Sequence, residues 1–289
     1  MPASLLLVLT ADLGLAKSEN SCQAEDFAAA YVRAYEEGKP LANPEEVAAD
    51  IETISLAHCH QLEVVGLLRE SLGSPIGYKV AFTSKTARQQ SGIASPLVGI
   101  LLEEMILPDG ATIATNSGSK LVYELDLLVE VGSDRINEAK TIEDVARHLK
   151  SVRPFIEVPD LMLPPGSQLT APLLVAMNAG ARWGVAGKPV PVEANEEFLA
   201  AIGDLKVKMY DGSGVLLTEA NGKDILGHPF NSVLFLLETL RERGEYMFAG
   251  DVISLGSFGR FHFAQPGKKA IALYRGLPGG TMTVLVKFE

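Results

Sequence analysis

Cysteine is nearly absent: Cys22 and Cys59 are the only two in 289 residues. That excludes a disulfide framework and leaves two readings, unpaired thiols in the cytoplasm or one bridge in an exported protein. Positive charge is also scarce, with 25 Lys and Arg against 36 Asp and Glu, a net charge of −11 and a pI near 5.0. No basic stripe is available to neutralise phosphates, so no nucleic-acid partner is expected. No apolar run approaches the roughly 18 residues that span a bilayer, so no membrane partner is expected. The chain has no fixed-period repeat and no low-complexity segment. It lacks a Gly-x-Ser-x-Gly elbow and a zinc-type Cys/His cluster, and its Gly-rich stretches at 212–215 and 256–259 lack the strand–loop–helix setting of a phosphate cradle. Nucleotide binding is excluded on that ground.

What is present is apolar mass. The chain is 47% hydrophobic, enough to bury a large core in one domain or in one domain with a smaller lobe. Residues 1–22 stand apart. The stretch "SLLLVLTADLGLA" has the apolar flavour of a signal peptide, yet no Lys or Arg precedes it and Asp12 interrupts it. It reads either as a signal, placing the protein in the periplasm, or as an extension of a cytoplasmic protein, and the disulfide stands or falls with the signal.

Residues 23–75 read as a helical lobe. Phe27, Tyr31, Val32 and Tyr35 recur at helical spacing up to Gly38, Asn43 and Pro44 open the next helical stretch, and a longer helix runs through Ile54, Ala57, Val65 and Leu68 to Gly73. From 76 to 289 strand patterns dominate: "GYKVAF", "VYELDLLVEVG", "RPFIEV", "LKVKMYD", "GVLLTE", "GDVISLG" and "TMTVLVKF". Helices are predicted at "TIEDVARHLK", capped from Thr141, at "NEEFLAAI", and at "PFNSVLFLLETLRERG", closed by Gly244. Irregular strand spacing with few helices predicts an α+β fold rather than a doubly wound sheet.

The stretch "VYELDLLVEVG" carries the chemistry. Residues two apart on a strand share a face, which puts Glu124 and Asp126 side by side, about 5 to 7 Å apart. Two anions so placed repel unless a cation or water lies between them. Glu157, set among Phe155, Ile156 and Val158, is a third candidate. Singly, each reads as a surface residue; together they suit a hard divalent cation, which takes oxygen ligands and keeps positions for water and substrate. Glu130 has the same parity but lies about 13 Å beyond Asp126 at strand rise. Lys79, inside the apolar "GYKVAF", reads either as a snorkelling edge lysine or as an acid/base group.

These segments, with "IEVPD", "NAGARWGV", "ILGHPFNSVLFL" and "GDVISLGS" in that order, resemble the 2-keto-4-pentenoate hydratase and 4-oxalocrotonate decarboxylase branch of the fumarylacetoacetate hydrolase superfamily, over roughly residues 24 to 289. The resemblance implies a mixed β-roll core with helices outside and Mg²⁺ or Mn²⁺ on Glu124, Asp126 and Glu157. It also implies Lys79 as the catalytic lysine and Asn178 against the substrate. Asp126 departs from a family Glu-x-Glu pattern. Pro96-Leu97-Val98-Gly99 stands where the family commonly has Pro-Asp-Phe-Gly, and Gly180 stands where it has Ser. His228 reads either as a substrate contact or as a helix-start residue whose imidazole serves nearby backbone. The implied activity is that of a metal-dependent lyase on a small 2-oxo acid, hydrating a 2-hydroxydienoate or decarboxylating an oxalocrotonate-like acid. The alternatives are an acylpyruvate hydrolase or a catalytically degenerate carboxylate-binding protein of the same fold. A homo-oligomer is expected.

Overall fold

The computed structural model describes residues 25–289. The candidate signal at 1–22 lies outside the described residues, as does Cys22; Cys59 is disulfide-bonded. Three helices come first: α1 (Glu25–Glu36), α2 (Pro44–Val47) and α3 (Ile54–Leu72). Pro44 stands in the first turn of α2, but Asn43 adopts a left-handed conformation (φ 49°) and makes no side-chain cap. The long helix starts later than Asn43, at Ile54, because the Thr53 hydroxyl accepts the Leu56 N–H.

The chain then enters β1 (Pro75–Ala81), α4 (Lys85–Ser91), β2 (Leu97–Leu102), β3 (Ile106–Pro108) and β4 (Thr112–Ile113). The two longest strands, β5 (Val122–Val131) and β6 (Leu149–Val158), flank α5 (Ile142–His148), whose N-cap Thr141 accepts from Asp144 N–H. α6 (Ala171–Ala176), β7 (Trp183–Ala186), β8 (Val190–Pro191) and α7 (Glu196–Gly203) lead to the hairpin of β9 (Lys206–Asp211) and β10 (Leu216–Asn221). α8 (Phe230–Arg243) ends at left-handed Gly244 (φ 71°), and β11 (Val252–Ser254), β12 (His262–Phe263), β13 (Lys269–Arg275) and β14 (Met282–Phe288) complete the described chain.

The main sheet is mixed, in the order β2-β1-β11-β5-β6-β7-β3, with β12 beside β5 and β8 beside β6. A second sheet runs β10-β9-β13-β14-β4. β5 shows how the two faces of the main sheet are used. Its odd residues Tyr123, Leu125, Leu127, Val129 and Val131 join the core shared with the second sheet, where Val207, Met209, Ala272 and Val286 also lie. On the other face, Leu128 and Phe155 join a second core built by α1, α3 and α6. The polar residues of β5 that matter, Glu124 and Asp126, therefore open toward the helical side. This is the α+β architecture that the strand and helix patterns predict, with the mixed sheet that the resemblance implies.

A buried ion pair fastens α1 to the sheet. Arg182 lies over the Tyr35 ring, 3.9 Å from its centroid, and its Nη1 is 3.1 Å from Asp160 Oδ2. Its Nη2 donates to the carbonyls of Tyr35 and Ser117. Asp160 also accepts the N–H groups of Ser119 and Lys120 at 2.9 and 2.7 Å.

Candidate active site

β5 and β6 pair in antiparallel register with Glu124 opposite Glu157 and Asp126 opposite Phe155. Directly opposed residues share a face, so Glu124, Asp126 and Glu157 all project to the helical side. Lys79 arrives there from β1, whose neighbour β11 pairs Ser254 with both Lys79 and Leu128. The Lys79 ammonium is 2% exposed, 2.6 Å from Glu157 Oε1 and 3.1 Å from the Ala179 carbonyl, to which it donates. An ammonium has three N–H donors; these contacts use two and leave one for a ligand. Asp126 is fully buried. Its oxygens accept the Ser254 hydroxyl and the N–H groups of Leu127 and Gly256.

Three carboxylates and one ammonium share this face, so together they carry two uncompensated negative charges when all are ionised. Burying an unpaired charge costs several kcal/mol, as an order of magnitude. Protons can supply the relief. Burial first, then the Glu157 charge, push Glu124 up to about 7, against the opposing pull of Lys79 and the Ser257 hydroxyl. Burial and Glu157 likewise hold Asp126 well above the usual carboxylate range. A divalent cation would supply the same relief at neutral pH. The donor set fits such an ion, being all oxygen with a charge excess of two.

The geometry departs from the three-ligand set in one respect. Among the described residues no three His, Cys, Asp or Glu side chains are grouped so as to enclose a metal ion. Glu124 and Glu157 stand directly opposite each other across the strands, and the Glu157 charge bears on Glu124. Asp126, one methylene shorter than glutamate, is instead held back against β11 by Ser254 and Gly256.

Two further placements bear on the expected substrate contacts. The Asn178 side chain is buried and hydrogen-bonded inside the protein. Its Oδ1 accepts from Ile100 N and Gln61 Nε2 at 2.7 and 3.0 Å, and its Nδ2 donates to the Ile100 carbonyl at 2.8 Å. Its contribution is to place its neighbour. Asn178 and Ala179 both sit in the left-handed region (φ 53° and 51°), an uncommon conformation held by the surrounding bonds, and it turns the Ala179 carbonyl onto Lys79. Gln61 continues this chain outward through His58 to Glu245, at 3.0 and 2.6 Å. His228 stands just before α8 with its ring against backbone: Nε2 is 3.0 Å from the Leu199 carbonyl and Nδ1 accepts the Phe230 N–H at 3.1 Å. Both ring nitrogens are spent on backbone.

The residues that sequence reasoning missed are those that arrive from far along the chain. Tyr274 of β13 reaches through from the second sheet and places its buried hydroxyl 2.7 Å from the carbonyl oxygens of both Asp126 and Phe155, pinning the two strands that carry the carboxylates. Its strand, "KAIALYR", is recognisable, but its target 148 residues away is not. Gly99 is the second. It lies opposite Lys79, and a Cβ there would sit 2.7 Å from Lys79 Cγ and 2.8 Å from the Asn178 carbonyl. Gly99→Ala is expected to displace the lysine stem, costing about 1–3 kcal/mol of stability as an overpacked site and lowering turnover. Denaturant unfolding of the variant checks the first effect, and a wild-type midpoint would refute it. Leu97, where the family motif has Asp, lies opposite Ala81 on the same strand pair and is buried in the helical-side core.

The fold has counterparts among known proteins, although no family model matches the chain. It is 28% identical to a 4-oxalocrotonate decarboxylase of Pseudomonas putida over 238 residues, 81% of this chain and 84% of that one. It is 24% identical to a 2-keto-4-pentenoate hydratase of Dechloromonas aromatica over 259 residues, 89% and 96% of the two chains. The fold matches the solved 4-oxalocrotonate decarboxylase of Pseudomonas putida G7, complexed with magnesium and adipate, at a TM-score of 0.79 and 24% identity, over 92% of this chain and 97% of that one. The fold is also shared, at a TM-score of 0.50 and 13% identity over 73% of this chain, with a putative fumarylacetoacetate hydrolase family protein of Yersinia pestis CO92. In sequence the chain is similar to 2-keto-4-pentenoate hydratases and 4-oxalocrotonate decarboxylases, as its motifs imply.

Proposed function

We propose that the protein is a metal-dependent lyase acting on a small 2-oxo acid, as a hydratase of a 2-hydroxydienoate or a decarboxylase of an oxalocrotonate-like acid. The observation that carries this reading is a buried lysine with one uncommitted N–H, set in a pocket that holds two negative charges in excess when its carboxylates are ionised. Glu124 and Glu157 would hold the divalent ion, Mg²⁺ or Mn²⁺, with Asp126 beside them. When bound, the ion supplies Lewis-acid polarisation of the 2-oxo group and its carboxylate.

This chain's own groups do the rest. Glu157 and the Ala179 carbonyl fix the Lys79 ammonium in place, so its remaining N–H is preoriented toward bound substrate. Lys79 is the group that donates or accepts the proton as the double bonds of the substrate shift. Phe155 and the apolar residues behind it limit water on that face, which strengthens each charge interaction inside. The curated relatives, named for hydration and decarboxylation of related acids, support the lyase class. The buried Leu97 supports the competing binder reading, because it fills the motif's carboxylate position with a core contact.

Glu124→Gln exchanges an anionic ligand for a neutral one of equal size and is expected to abolish Mg²⁺ and Mn²⁺ binding by calorimetry, with an unchanged circular dichroism spectrum. Glu157→Gln is expected to do the same while also leaving Lys79 without its carboxylate. Wild-type metal affinity in both variants would defeat the metal-site reading.

A further inference from the structure

We infer that the N-terminal end of β5 and the adjoining β12 form a subsite for the far end of the substrate, and that Lys120 there selects 2-oxo acids bearing a second carboxylate; this rests on the proposed function of the Lys79 site. The strand register provides the placement. His262 pairs with Tyr123 and Phe263 with Val122. The His262 and Tyr123 rings lie 5.5 Å apart on the face turned to the second sheet. Phe263 and Val122 therefore take the opposite face, the one carrying Glu124 and Asp126, about 7 Å beyond Glu124 along the strand. The loop leading into β12 begins beside the same group of carboxylates, with the Ser254 hydroxyl and the Gly256 N–H just before it donating to Asp126.

The surface at this end of the strand is aromatic and cationic. Phe261 and Phe263 meet edge to face at 5.7 Å and are 45% and 49% exposed. Paired exposed aromatics of this kind mark recognition surfaces more often than scattered apolar residues do. The Lys120 ammonium lies over Phe263, 4.8 Å from the ring centroid. Its backbone is fixed, the N–H donating to Asp160 at 2.7 Å and the carbonyl accepting from Leu161 at 3.1 Å. Among the described residues no carboxylate is ion-paired with its side chain. An apolar platform ending in an unpaired cation complements a ligand with an apolar middle and an anionic end. A 2-oxo acid whose head sits at Glu124 and Glu157 extends its chain over the phenylalanines, and a second carboxylate at its sixth carbon comes within reach of Lys120. A monocarboxylic analogue leaves that cation unused.

The test is calorimetry on the full chain with Mg²⁺ and three inert probes: oxalate, 2-oxohexanoate and 2-oxoadipate. Wild type is expected to bind 2-oxoadipate more tightly than 2-oxohexanoate. Because Lys120 is exposed, its effect is that of a surface ion pair, about threefold to fivefold in affinity. Lys120→Met should remove that preference without changing the affinities for oxalate and 2-oxohexanoate, and Lys120→Arg should keep it. In wild type the preference should shrink as ionic strength rises toward about 0.3 M. Equal affinity for the two six-carbon acids in wild type, or an equal loss for all three probes in Lys120→Met, overturns the subsite while the metal site stands. Failure of wild type to bind oxalate at all overturns the site reading and the subsite with it.

Discussion

Replacement of Lys79 by Met is expected to lower turnover of a 2-hydroxydienoate by about 10² to 10⁴, the usual contribution of a positioned acid or base. Methionine keeps much of the stem that packs against Gly99 and loses the amine that contacts Glu157 and Ala179. The electrostatic consequence has the opposite sign for the metal. Removing the one ammonium raises the pocket's negative excess from two charges to three, so Mg²⁺ affinity should hold or rise while turnover collapses. Oxalate affinity should change far less than turnover. A protein that only binds carboxylates would show no turnover to lose and would instead lose ligand affinity with the cation. Following dienoate absorbance alongside calorimetry with Mg²⁺ and oxalate separates the two. Wild-type protein that binds oxalate through its metal yet consumes neither dienoate nor oxalocrotonate would defeat the lyase assignment, and Leu97 would be the first position to restore as Asp.

Breaking the Asp160–Arg182 pair is expected to have the largest effect on stability. Both side chains are at least 95% buried, and the guanidinium also holds the carbonyls of Tyr35 and Ser117. Arg182→Met leaves the Asp160 carboxylate buried with only the N–H groups of Ser119 and Lys120, and removing one partner of such a pair costs about 3–5 kcal/mol. The Tyr35 ring loses its stacked cation as well. Asp160→Asn should cost less, because the neutral amide leaves no unpaired anion. Urea unfolding of both variants, read at the midpoint with the slope held constant, checks the order. A loss below about 1 kcal/mol for Arg182→Met would mean the pair behaves like an exposed one. Because Tyr35 belongs to α1 and Asp160 follows β6, this variant should also loosen the helical layer over the site, visible as faster hydrogen exchange in α1.

The local pattern of the chain was sufficient for much of this. Period-2 alternation put Glu124 and Asp126 on one face of β5, and no tertiary contact alters that. The caps at Thr141 and Gly244 follow from capping chemistry within a few residues, and they appear as expected. Strand β2, "LVGILL", was not separable from loop or helix by period because both of its faces are buried.

Only the tertiary structure decided who meets whom. The pairing of Glu124 with Glu157 is a register between strands joined through α5, and the contact of Lys79 with Glu157 spans 78 positions of sequence across four neighbouring strands. Asp126 keeps the face its parity assigned, and its carboxylate is held by Ser254 and Gly256, donors that come from β11 and the residues just after it. Asn178 and His228 had the right chemistry for ligand contacts. Their polar atoms were claimed by Ile100, Gln61, Leu199 and Phe230, because a buried donor or acceptor must be satisfied by whatever the fold brings within reach. Sequence spacing fixes which side of a strand a group occupies; which partner satisfies it is set by long-range packing.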